Sequence, residues 1–193
     1  AEKQLYYLKG QINPHFLFNA LNVLYSLSLE SKKGVSKAIL ELSDILRYVI
    51  YDTEVEKVSI LKEINLLENY INFEKNRHTE DANIEFNYTV KKDTKIYPML
   101  LLPLIENSFK HGVKSKPNKP FIKINLNQEE RKLICKVSNN FTFKASNSKK
   151  ENQGIGLKNI TENLNLIYPN NHVFTTKTEN NIFSVFLKIN LEQ

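Results

Sequence analysis

The chain has one cysteine, one methionine, no tryptophan and only five glycines among its 193 residues. A single thiol, Cys135, excludes an intramolecular disulfide framework and fits a reducing compartment. No uninterrupted apolar run is long enough to cross a bilayer. The opening residues lack the basic head, apolar stretch and small-residue cleavage site of a secretory leader. The expectation is a soluble, cytoplasmic piece. RNA-recognition, zinc-finger and basic-heptad patterns are also missing, so the net charge of +6 does not argue for direct nucleic-acid binding. Its lysines spread along the chain, with concentrations at 114–119 and 144–150. They read mainly as solvated surface, and secondarily as an attraction for nucleotide or an acidic protein.

What is present is enough for a real core, with 41% hydrophobic residues in a length that suits one large domain or two small ones. Leu5, Leu8, Ile12, Phe16, Ala20, Val23, Leu24 and Leu27 recur at helical spacing, and Ser31 to Gly34 break the pattern. A second helix follows with Val35, Ala38, Ile39, Leu42, Ile45, Leu46 and Val49 on one face. A helical hairpin cannot cover its own apolar stripes, so two hairpins pairing as a four-helix bundle in a homodimer are expected. Asp52 to Lys57 is a polar joint. Ser59 reads as the N-cap of a helix running to about Asn76, with Glu63 near its first turn. Alternation predicts strands over 84–90, 121–126 and 133–137, and a closing strand pair over 173–177 and 182–189. Helices are expected over 98–112, ending at Gly112 as C′ residue, and over 155–168 before Pro169. The order from Ser59 onward makes an α+β sandwich, one sheet covered by helices on one face.

The stretch Gln11-Ile12-Asn13-Pro14-His15-Phe16-Leu17-Phe18-Asn19-Ala20-Leu21-Asn22 carries the most chemistry. Pro14 either strains a helix already under way, with Gly10 supplying slack, or sits at N1 behind an Asn13 N-cap. In both cases the backbone is irregular just before His15. At the edge of the apolar stripe this imidazole is expected to reach solvent, where it can be neutral near pH 7 and attack a phosphoryl group through one nitrogen. A lone histidine is more often a packing residue, and the surrounding residues decide the reading here. The stretch resembles the phosphoacceptor motif of the LytS/YehU-type sensor histidine kinases. The resemblance implies autophosphorylation of His15 and transfer to an aspartate of a response regulator, with Asn19 orienting the imidazole or the phosphate. Leu46-Arg47-Tyr48 and 70–77 also fit the family's spacing between its two domains.

A second resemblance lies in Leu102-Pro103-Leu104-Ile105-Glu106-Asn107-Ser108-Phe109-Lys110-His111-Gly112-Val113, which is similar to the N-box of the histidine-kinase (GHKL) ATPase domain. On a helix Asn107 and His111 stack one turn apart, as do Glu106 and Lys110. The resemblance implies Asn107 as a ligand of Mg2+, Glu106 as general base or orienting group for His15, and Lys110 or His111 on phosphate oxygens. Against this stands the ordinary reading of a solvated helix face with a Glu106–Lys110 pair. Gln153-Gly154-Ile155-Gly156-Leu157-Lys158-Asn159 resembles the family's glycine box, whose backbone amides and helix N-terminus approach phosphate. Alone it reads as a flexible turn. In this setting it implies an ATP lid over 141–153 and Asn159 as a phosphate donor. One departure is clear. The family's Asp-x-Gly-x-Gly is replaced by Val137-Ser138-Asn139-Asn140-Phe141, and Asn139 is expected to take over the aspartate's acceptor role toward adenine.

The resemblance therefore implies residues 1–57 as the dimerisation and phosphoacceptor hairpin and 58–193 as a Bergerat/GHKL ATP-binding domain. The expected activity is that of a two-component histidine kinase using ATP and Mg2+. Its expected partners are a second copy and a response-regulator receiver domain, of LytTR type in many family members. The setting would be the cytoplasmic part of an inner-membrane sensor whose membrane regions lie outside this chain, which starts in mid-helix as a piece of a longer protein does. Alternatives are a dimeric GHKL-fold scaffold or nucleotide-binding interaction module, weak or dead as a kinase and supported by the altered adenine motif, or another type of GHKL ATPase, which would not need His15. His78 and His172 read as surface or packing residues.

Overall fold

The structure is a computed structural model that describes residues 14–29, 34–77, 82–113, 120–141 and 155–191. Several expectations lie outside the described residues: the stripe at Leu5, Leu8 and Ile12, the turn at 31–33, His78, both lysine concentrations, and Gly154 with the loop from 142. The side chain of His15 lies outside them too. The chain forms two compact units, Ala1–Thr79 with Thr94–Leu100, and Glu80–Asp93 with Leu101–Gln193.

The first unit is helical. Helix α1 spans Pro14–Leu29, α2 Val35–Tyr51 and α3 Ile60–Arg77. On α2 the buried set is Ala38, Leu42, Ile45 and Val49, with Tyr48 and Glu41 beside them. Ile39, expected on that face, is half exposed, because it sits about 100° around the helix from Ala38. Helix α3 packs on α2, so the compact unit runs past the joint at 52–57 and includes a third helix. Its start is capped as the sequence indicates, the amide of Leu61 donating to Ser59 Oγ at 3.1 Å. A two-residue ladder that no periodicity signals, β1 (Val58–Ser59) against β3 (Lys95–Ile96), joins the start of α3 to the 94–100 strap.

The second unit is a five-stranded sheet in the order β2-β4-β5-β7-β6. The strands are β2 Asn83–Val90, β4 Phe121–Glu129, β5 Lys132–Asn140, β6 His172–Glu179 and β7 Ile182–Asn190. Only β2 on β4 is parallel; the other three pairings are antiparallel. Register lines up Ile124, Val137 and Val185, and Leu126, Cys135 and Leu187, all buried on one face. Helix α4 (Leu102–Ser108) packs on β5, and helix α5 (Ile155–Ile167) packs on α4 and β6. The β6–β7 turn places Asn180 and Asn181 at φ 50° and 59°, left-handed positions that asparagine tolerates.

One sequence expectation is corrected here. The helix predicted over 98–112 begins only at Leu102, because Met99 has φ 58° and cannot continue a right-handed helix. After Ser108 the chain widens into a π turn over Phe109–Val113, so Gly112 is an internal residue of that turn and not a C′ cap.

Candidate functional site

The π turn is where the site takes shape. Phe109, Gly112 and Val113 are buried, and the turn packs against β4 and β5. A Cβ on Gly112 would lie 2.7 Å from the Cβ of Asn139 and 3.2 Å from its carboxamide carbon and nitrogen. Real side chains do not approach so closely, so the absence of a side chain at 112 is what lets the turn close on β5. The i→i+5 step inserts width where the sequence suggested plain α-helix, and π turns are frequent at functional sites. The simple one-turn stacking of Asn107 on His111 and of Glu106 on Lys110 is therefore altered at its C-terminal end.

Asn139 lies near the end of β5, 1% exposed, opposite Ile122 on the core face of the sheet. Its Nδ2 donates to the carbonyl of Asn140 at 2.7 Å. A carbonyl only accepts, so this bond fixes the carboxamide with Nδ2 toward Asn140 and Oδ1 as the acceptor end. Asn140 in turn accepts the amide of Phe121 at 2.5 Å, and the amide of Phe141 donates to the Asn181 carbonyl at 2.7 Å. The end of β5 is thus tied to both neighbouring strands.

Glu106 and Asn107 are half-buried on α4, Lys110 is exposed, and His111 is half-buried. Burial first, and the Lys110 charge second, push the His111 pKa below its ordinary value. At pH 7 the ring is neutral, so the cation on this stretch is Lys110, and His111 acts as a hydrogen-bonding group. On the other side, Gly156 is exposed at the second position of α5, and a Cβ there would meet nothing within 4 Å. Leu157 is half-buried, with its carbonyl accepting Thr161 Oγ1 at 2.9 Å, and Asn159 is exposed. Gly154 lies outside the described residues.

The structure thus brings together Gly112, Asn139 and the N-box turn, and packs α4 on the helix that follows the glycine box. His15 and Asn19 belong to the other unit, on α1, where Asn19 is half-buried. His172, read from the sequence as a surface or packing residue, is half-buried, with Nδ1 lying 2.9 Å from the Tyr168 carbonyl. Two features escaped the sequence reading. One is Gly112 as a contact residue, a role that its place in the motif does not signal. The other is Glu63, fully buried, which accepts the Tyr48 hydroxyl at 2.5 Å and the Met99 amide at 3.1 Å; a helix-start glutamate gives no such signal. Among the described residues there is no cluster of His, Cys, Asp or Glu that would hold a metal by itself, and no helix long and apolar enough to cross a membrane.

Comparison with known proteins finds a family model that matches part of the chain. Residues 3–82 match the family model described as histidine kinase. The chain is 27% identical over 171 residues to the sensor protein LytS of Streptococcus mutans, covering 83% of this chain and 30% of that protein. It is 32% identical over 119 residues to the sensor histidine kinase YpdA of Escherichia coli, covering 62% of this chain and 21% of that protein. The chain therefore spans less than a third of either relative. The solved histidine kinase AdeS of Acinetobacter baumannii matches with a TM-score of 0.51 at 11% identity, over 93% of this chain and 98% of that one, a likeness of fold alone.

Proposed function

We propose that this chain is a sensor histidine kinase of the LytS/YehU type, on its similarity to the histidine kinase family model over residues 3–82 and to LytS and YpdA, and that it transfers the γ-phosphoryl group of ATP to His15 and onward to an aspartate of a response regulator. The observation that carries the nucleotide half is the close seating of Gly112 on buried Asn139. It builds a wall whose accepting Oδ1 suits the adenine amino group, in the place of the family's aspartate.

Asn107, half-buried on α4, supplies the amide oxygen that would help hold Mg2+. A bound Mg2+ would neutralise phosphate charge. Lys110, exposed one turn further on, meets phosphate oxygens as a cation, while His111 stays neutral. The glycine-box end of α5, with Gly156, Leu157 and Asn159, offers backbone amides and a donor to the phosphates. In the transfer, a neutral His15 nitrogen attacks the γ-phosphorus as the bond to the bridging oxygen breaks. ADP leaves, and Glu106 orients the imidazole or takes its proton.

The working assembly we propose is a homodimer. Phe18, Leu21, Tyr25 and Leu29 recur along α1 and are each 50% exposed or more, and Ile39, Leu40, Ile50 and Tyr51 do the same on α2. Such stripes call for cover, and a second hairpin of the same chain supplies it as a four-helix bundle. Residues 1–57 are then the dimerisation and phosphoacceptor part and 58–193 the ATP-binding part, within a longer sensor whose cytoplasmic portion this is. The receiver-domain partner of LytTR type remains part of this proposal. Incubation with γ-labelled ATP and Mg2+ tests it. Acid-labile label on the parent, absent from His15→Gln and Asn107→Ala, is the expected result. An unlabelled parent that still binds nucleotide would favour a scaffold.

A further inference from the structure

The strap between β2 and the N-box helix is fastened to the helical unit at three points. The amide of Ile60 donates to the Thr94 carbonyl at 2.8 Å. Val58 pairs with Ile96 in the β1–β3 ladder. The third point is unusual. Oε2 of Glu63, on α3, accepts both the hydroxyl of Tyr48 from α2 and the amide of Met99 from the strap. All three residues are buried, at 0%, 5% and 6% exposure for Glu63, Tyr48 and Met99. Met99 is also held at φ 58°. A non-glycine residue keeps a left-handed backbone only where its surroundings over-determine it, and the hydrogen bond from the Met99 amide to Glu63 is one such restraint. Burial, then the neighbouring Glu63 carboxylate, push the Tyr48 phenol far above its ordinary pKa, so it stays a donor at any working pH.

Three residues beyond Met99 the chain enters α4, which carries Glu106 and Asn107. We propose that Glu63 is a positioning residue, clamping Tyr48 of the hairpin to the strained strap so that the state of the hairpin governs the helix presenting Glu106 and Asn107. The proposal rests on the kinase reading above. A hydrogen bond of 2.5 Å tolerates little movement, so a rotation or slide of α2 withdraws the Tyr48 hydroxyl from Glu63. The shared oxygen then reorients, Met99 loses its restraint, and the strap relaxes. The device regulates phosphorylation of His15 without touching the nucleotide.

Tyr48→Phe removes one hydroxyl and keeps the ring, so the full chain should still fold. Hydrogen exchange should quicken about tenfold over residues 97–105 and stay within about twofold over 121–140. The rate of acid-labile labelling should fall about tenfold while ATP affinity, read by equilibrium binding, changes by less than about twofold. Adding Met99→Gly, which removes the left-handed penalty, should recover much of the lost rate. Unchanged exchange over 97–105, rate and affinity falling together, or no recovery in the double variant would each overturn the clamp. An unlabelled parent would instead sink the kinase reading, and the exchange result would then decide the clamp by itself.

Discussion

The two walls of the candidate nucleotide site keep their glycines for opposite reasons. At Gly112 there is no room: a Cβ would collide with Asn139, and the π turn is packed against the sheet before any ligand arrives. At Gly156 there is nothing but room, since a Cβ would touch no atom within 4 Å and the residue is exposed at the start of α5. One wall is finished by folding. The other is left open by folding, and under the proposed function its glycine serves the approach of phosphate, not the packing of the protein. Sequence motifs treat the two glycines alike; the structure separates them.

That contrast sets an order of effects. Gly112→Ala should cost about 1–3 kcal/mol of stability through overpacking, and nucleotide affinity should fall with it; thermal unfolding and calorimetric titration read both. Gly156→Ala should leave stability unchanged or raise it by a few tenths of a kcal/mol, because alanine is the better helix former, while affinity drops. If both variants lose stability and affinity together, the distinction between the walls fails. Asn139→Ala should weaken ATP binding about tenfold, roughly the loss expected for one buried hydrogen-bonding group. Unchanged affinity would remove Asn139 from the adenine site. The smallest effect concerns pH. His111 has a folded pKa below its ordinary value, near 6.5 when unfolded, so the unfolded chain binds more protons in that range. Stability from this residue is full above about pH 6.5 and is lost as pH falls below it. The difference between parent and His111→Gln in unfolding midpoints from pH 7 to 5 should show a shallower decline in the variant.

Much of the fold was legible because its elements are long and periodic. The alternations Ile122-Ile124-Leu126 and Leu133-Cys135-Val137 name both the strands and the face they bury. Ser59 announces the start of α3 through its own side chain. The two-residue strands β1 and β3 have no period to read. The overlong N-box helix arose because Met99, Leu100 and Leu101 are all apolar and helix-compatible in composition; the buried carboxylate of Glu63 that accepts the Met99 amide, where the backbone turns left-handed, lies far off in sequence. The same limit applies at the site. Chemistry-bearing residues stand out by type and spacing, but that Gly112 presses on Asn139 is a fact of tertiary packing between a π turn and a strand, and neither residue's neighbours in the chain encode it.

The lone parallel pairing in the sheet has a kinetic consequence. Strands β4 and β5, and β6 and β7, close across two-residue turns and need only local chain to meet. Strand β2 meets β4 only when a chain segment of about thirty residues has closed to set Asn83 beside Phe121. Loop-closure entropy is spent there before any contact returns it, which places this step late on the folding route. The turn around Gly112, which lies inside that closing stretch, is then expected to gain its protection after the two hairpins, a lag that pulse-labelled hydrogen exchange during refolding would read.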